Sequence, residues 1–175
     1  MSTATKARHP RPQEAEEGEE CCERLMKKLA IICSKGSLDM AYPGLVLGLA
    51  ARNNGIKVVL FYTFWGMDVI TEKKVDHLLV SPLCTSMPMP KMVSVLPGVG
   101  HAVTAMMKKK IESLDIPKVR DLLDLLADSG AEIYGCKMSI EMMGLKREDL
   151  VAQVKDVVGA NEFFYLSKGA EIIFI

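Results

Sequence analysis

The chain has 175 residues, 49% hydrophobic and 25% charged, which is the size and balance of one globular domain. Its 22 Lys and Arg offset its 22 Asp and Glu, so it lacks the basic excess of a nucleic-acid binder. The five cysteines are odd in number, form no C-x-x-C pair and stand apart from the three histidines, which argues for free thiols in a reducing cytoplasm and against a metal site or cofactor.

Residues 1–23 carry Pro10, Pro12 and the glutamates from Glu14 to Glu23, with almost no large apolar side chain. Such a stretch cannot bury enough surface to offset the entropy of ordering, so it is expected to be a disordered acidic tail. Cys21 and Cys22 lie in it as bystander thiols. A single domain is expected over residues 24–175, with a Pro/Met-rich insertion at about 81–110.

Residues 29–33 form a short unbroken apolar run, as in a strand buried on both faces of a parallel sheet. Ser34-Lys35-Gly36-Ser37 follows as a loop that opens a helix over 40–53, closed by Asn54-Gly55. Residues 57–62 are a second buried strand, and strand, helix and strand make one βαβ unit. Residues 63–69, which hold Phe64, Trp65 and Gly66, leave the carboxyl end of that strand. Four prolines between 81 and 97 exclude a regular central element there. Residues 100–113 suit a helix. Asp115 is expected to cap the next helix, starting at Ile116-Pro117, with Val119, Leu122, Leu123 and Leu126 as its apolar stripe and Gly130 as its end. Residues 131–135 are the next strand, 139–143 a short helix, 146–151 a further helical turn, 154–158 a strand or loop, 161–167 a helix and 171–175 a last strand. The alternation predicts an α/β domain with three α/β/α layers and a mostly parallel sheet of about five strands. Ligands and chemistry gather at the carboxyl ends of strands in such sheets.

Cys136 stands out for its place, since Ile133-Tyr134-Gly135-Cys136-Lys137-Met138-Ser139 runs from strand to helix. A helix start presents unpaired N–H groups that favour thiolate, the reactive form. Lys137 adds positive charge beside it. Cys33 lies inside the first strand, where burial is the expected fate. Cys84, in Leu83-Cys84-Thr85-Ser86-Met87-Pro88-Met89-Pro90, is a candidate second thiol if its loop reaches the site. Ser34, Lys35, Gly36 and Ser37, together with Phe64, Trp65, Gly66, Lys137 and Met138, are expected to line the pocket. Residues 92–107 are mostly apolar but too short and too interrupted to span a bilayer. Contact with another subunit is the preferred reading of that run, with a membrane surface as the lesser one.

These residues together resemble the DsrE/DsrF-like family of small sulfur-transfer proteins, in its longer DsrE-like branch that is sometimes labelled as a peroxiredoxin family. The marks are Ser34-Lys35-Gly36 with Asp39, Phe61-Tyr62-Thr63-Phe64-Trp65-Gly66, Met87-Pro88-Met89-Pro90, Gly135-Cys136-Lys137-Met138-Ser139 with Met143-Gly144, and the ending Phe174-Ile175. The resemblance covers residues 28–175. It implies an α/β/α fold, a persulfide-carrying role for Cys136, homo-oligomeric assembly as a trimer or hexamer, and a TusA-like or rhodanese-like carrier as sulfur donor or acceptor. The expected function is therefore a cytoplasmic sulfur carrier or sulfurtransferase-like protein. The alternative is a ligand-binding or scaffold module in which Cys136 is inert. No peroxidatic motif supports peroxide reduction.

Overall fold

The computed structural model describes residues 26–81 and 99–175. In chain order they form β1 (Lys28–Cys33), α1 (Leu38–Asn53), β2 (Lys57–Tyr62), a 3-10 helix (Phe64–Ile70), a 3-10 turn (Val75–His77), α2 (Val99–Ser113), α3 (Val119–Asp128), β3 (Glu132–Cys136), α4 (Lys137–Met143), a 3-10 turn (Arg147–Asp149), β4 (Val154–Val158), α5 (Ala160–Leu166) and β5 (Glu171–Phe174). The five strands make one sheet in the order β4-β3-β2-β1-β5, and every pairing is parallel. The expected α/β class and parallel five-stranded sheet are both present.

Side chains alternate across the sheet with the period of two that a strand imposes. Leu29, Ile31 and Cys33, with Val58, Leu60, Tyr62 and Ile133, face the larger core. The apolar stripe of α3, Val119, Leu122, Leu123 and Leu126, packs into that core, as do Leu38, Ala41 and Leu45 of α1. Ala30, Val59, Phe61, Tyr134 and Cys136 face the opposite side and form a smaller core with Val158 and Phe163. There the Phe163 ring of α5 stacks on Phe61 at a centroid distance of 4.6 Å. The two described cysteines therefore point into different layers.

Two boundaries differ from expectation. Asp115 does not cap α3. It sits at φ 52°, and the helix begins only after Lys118. The cause is Pro117, which disfavours a helical conformation at the residue before it. The first turn is held instead by Asp121, whose Oδ2 accepts the Lys118 N–H at 3.3 Å. Residues 63–69, read as a loop at the carboxyl end of β2, are largely taken up by the Phe64–Ile70 3-10 helix, which has no 3.6-residue periodicity to betray it.

That 3-10 helix is bound tightly to the end of β1. Cys33 O accepts the Thr63 N–H at 3.0 Å, and Ser34 O accepts the Gly66 N–H at 3.1 Å. A Cβ on Gly66 would lie 2.1 Å from Cys33 O, and one on Gly36 would lie 2.2 Å from Trp65 O. Backbone meets backbone at both places, so neither neighbour can swing aside. Gly66→Ala is predicted to lower stability by about 1–3 kcal/mol through overpacking, read as a lower urea midpoint. An unchanged midpoint would contradict this close approach.

Candidate thiol site at the end of β3

Cys136 is the last residue of β3 and pairs with Val158 of β4. Its backbone is extended, at φ −78° and ψ 122°, and α4 starts at the next residue, so it occupies the N-cap position. In that position a side chain faces the N–H groups of the second and third helical residues, here Met138 and Ser139. Its side chain closes no capping hydrogen bond.

Ser139 is fully buried, and its hydroxyl is the hub of the site. Its Oγ lies 3.2 Å from Thr63 Oγ1 and accepts the Phe64 N–H at 2.8 Å. Thr63 is itself buried, just past the end of β2. The parallel pairing of β2 with β3 sets Tyr62 beside Gly135, which brings Thr63 and Cys136 to the same end of the sheet. Phe64 holds φ 46°, in the left-handed region that a bulky residue rarely enters. The hydrogen bond from its N–H to Ser139 helps to hold it there.

Opposing effects act on the Cys136 thiol. Burial is the largest single one and pushes its pKa up. The Ser139 hydroxyl and N–H, the Thr63 hydroxyl and the Met138 N–H together outweigh it, and the pKa falls below the ordinary thiol value. Ionisation thus favours the fold at a pH above the ordinary value, and that contribution is lost as pH falls through the lowered one. Cys33 shows the reverse balance. Burial drives its pKa up to about 12, against a smaller opposing effect of the Tyr62 hydroxyl. It stays a thiol at neutral pH.

Access is narrower than the sequence suggests. Cys136 is only 6% exposed, with the small core on one side. Phe64, Trp65 and Met138, expected to line its pocket, are exposed apolar side chains. Lys137 is exposed next to it in sequence. The other expected pocket residues gather elsewhere. Lys35, Gly36 and Ser37 line an open cavity of about 760 Å³ together with Trp65, and Cys136 is not on its wall. Ser34 donates its Oγ–H to Ile175 O at 3.0 Å, which ties β1 to the end of β5. Gly66 is packed under Cys33. Cys84 lies outside the described residues. Among the described residues no cluster of His, Cys, Asp or Glu could hold a metal ion.

Ser139 was not among the expected site residues. The signal was there, because a Cys-x-x-Ser spacing at a helix start puts the serine three residues after the N-cap, where capping partners meet.

A sequence profile of the DsrE/DsrF/DrsH-like family matches residues 25–175. The chain belongs to this family. It is 34% identical over 155 residues to Sulfur carrier protein DsrE2 of Allochromatium vinosum, covering 83% of this chain and 96% of that one. It is 21% identical over 139 residues to the uncharacterized protein YrkE of Bacillus subtilis, covering 73% and 84% respectively. Among solved structures, the YchN protein from E. coli superposes with a TM-score of 0.51 at 14% identity, covering 86% of this chain and all of that one, which supports the fold alone. Among the described residues no helix is long and apolar enough to cross a membrane.

Removing the Ser139 hydroxyl takes away a donor to the thiolate and raises the Cys136 pKa. Each unit of rise costs tenfold in thiolate fraction, partly offset by greater nucleophilicity, a net loss of roughly threefold in rate. Ser139→Ala is therefore predicted to slow alkylation of Cys136 at neutral pH by about threefold per pKa unit, followed by mass spectrometry of the Cys136 peptide. An equal or faster rate would contradict the balance described above.

Proposed function

We propose that the protein carries sulfane sulfur as a persulfide on Cys136 and passes it to an acceptor thiol. The observation that carries this reading is the set of two hydroxyls and two N–H groups that favour the Cys136 thiolate despite its burial. An inert structural cysteine has no need of such partners, and the more deeply packed Cys33, which lacks them, is pushed the other way. Membership of the family and the 34% identity to a protein named as a sulfur carrier support the same reading.

The cycle is two exchanges with no net redox change. The Cys136 thiolate attacks the outer sulfur of a donor persulfide, R–S–SH. A new S–S bond forms on Cys136, the donor's S–S bond breaks, and R–S⁻ leaves with the bonding pair. An acceptor thiolate then attacks the outer sulfur, and Cys136 departs as the thiolate. A lowered thiol pKa helps twice, by supplying the attacking thiolate at neutral pH and by making Cys136 the better leaving group. The persulfide also eases access, because the S–S bond carries the reactive atom about 2 Å beyond Cys136 Sγ. The donor or acceptor is a small sulfur-carrier domain of TusA-like or rhodanese-like type in a reducing, cytoplasmic compartment. The chain works as a homo-oligomer, a reading supported by Ile172 and Phe174 of edge strand β5, which leave large apolar area exposed.

Wild-type protein treated with a sulfane donor is predicted to gain one sulfur atom on the Cys136 peptide, seen by mass spectrometry, and Cys136→Ser none on that peptide. A wild-type Cys136 peptide that stays unmodified would refute the reading.

A further inference from the structure

Ser139 does more than face the thiol, because the same oxygen holds the backbone of an exposed aromatic turn. Its Oγ accepts the Phe64 N–H at 2.8 Å and sits 3.2 Å from Thr63 Oγ1. Cys136 sits at the N-cap three residues before Ser139, and both hydroxyls are among the donors that lower its thiol pKa. Phe64 is kept at φ 46°, a conformation that costs a non-glycine residue free energy and persists only when its surroundings enforce it. Next to it stands Trp65, 66% exposed and the chain's one tryptophan.

We infer that Ser139 and Thr63 are positioning residues that couple the sulfur load on Cys136 to the setting of the Phe64–Trp65 turn. The inference rests on the persulfide reading above and adds a regulatory consequence to it. With Cys136 unloaded and ionised, negative charge sits on Sγ, and both hydroxyl hydrogens turn toward it. A serine that donates strongly becomes a better acceptor, because hydrogen bonds in a chain polarise one another. The Phe64 N–H is then held firmly. Loading moves the charge to the outer sulfur, about 2 Å further out. Sγ, now in a neutral disulfide-like link, is a weak acceptor. The Ser139 and Thr63 hydroxyls fall back on each other, and the grip on the Phe64 N–H slackens. Loaded and empty protein thus present Phe64 and Trp65 differently beside the site, which gives a partner a surface feature by which to tell them apart.

Trp65 fluorescence reads this directly. The full-length protein is loaded with inorganic polysulfide, occupancy at Cys136 is measured by mass spectrometry, and the emission change is taken relative to Cys136→Ser treated identically, which removes the effect of the other thiols. The expected result is an emission shift in wild type that Ser139→Ala and Thr63→Val reduce at least severalfold at matched occupancy. Thr63→Ser, which keeps the hydroxyl, is expected to retain it. Thr63→Val preserves the side-chain volume, so the comparison stands on it if Ser139→Ala fails to fold or load. A wild type that loads without an emission change overturns the coupling and leaves sulfur carriage intact. Equal shifts in wild type and both hydroxyl-deleted variants also overturn it, since the sulfur would then act on Trp65 without the relay. A wild type that takes up no sulfur on Cys136 overturns the underlying reading and the coupling with it.

Discussion

A buried hydroxyl must find partners, and the one on Ser139 finds them on two segments that the chain brings together only by folding. It takes the Phe64 N–H, lies against Thr63 Oγ1 and acts on the Cys136 sulfur. Leaving such a group unpaired in the interior would cost on the order of 1–3 kcal/mol. The network therefore fixes its surroundings as much as it serves them. It sets the turn after β2 and holds Phe64 at a conformation that it would not adopt alone. It also decides that a cysteine at the edge of an apolar cluster is more acidic than an ordinary thiol.

The sheet supplies its own control experiment. Cys33 and Cys136 both end parallel strands, and both are about nine-tenths covered or more. They differ in how deeply the sulfur is packed and in what surrounds it. Cys33 projects into the larger core, where Tyr62 is its one hydroxyl neighbour and that hydroxyl has no other hydrogen-bond partner among the described residues. Cys136 projects to the other face, at a strand-to-helix junction where two N–H groups and two hydroxyls favour the thiolate. Burial pushes both thiols up, and it does so harder at the more deeply packed Cys33. Local polarity spares one of them, and the period-two alternation of the strands decides which.

Much of this was legible beforehand. The buried strands β1, β2 and β3 show as unbroken apolar runs because parallel strands are covered on both faces. Cys136 could be placed at a strand end because the apolar run 131–135 stops just before it and a short helix, read over 139–143, follows so abruptly. Edge strand β4 was ambiguous for a physical reason, since Lys155 and Asp156 are exposed there and dilute the apolar signal. The 3-10 helix after β2 was hidden because it is stabilised by backbone contacts with the end of β1 and not by its own periodicity. The meeting of Thr63 and Ser139 spans 76 residues of sequence, and no local rule reaches that far. The same distance explains why Lys35, Gly36 and Ser37 were expected in the thiol pocket, whereas the fold sets them with Trp65 along a neighbouring cavity.

The central claim is that the hydroxyl and amide donors around Cys136 lower the pKa of its thiol despite its burial. Ultraviolet absorbance follows thiolate formation, and subtracting the titration of Cys136→Ser from that of wild type isolates this one group. The difference curve is predicted to have its midpoint below the ~8.5 of a free cysteine. A midpoint at or above that value would mean that burial prevails over the hydroxyl and amide donors, and the account would fail.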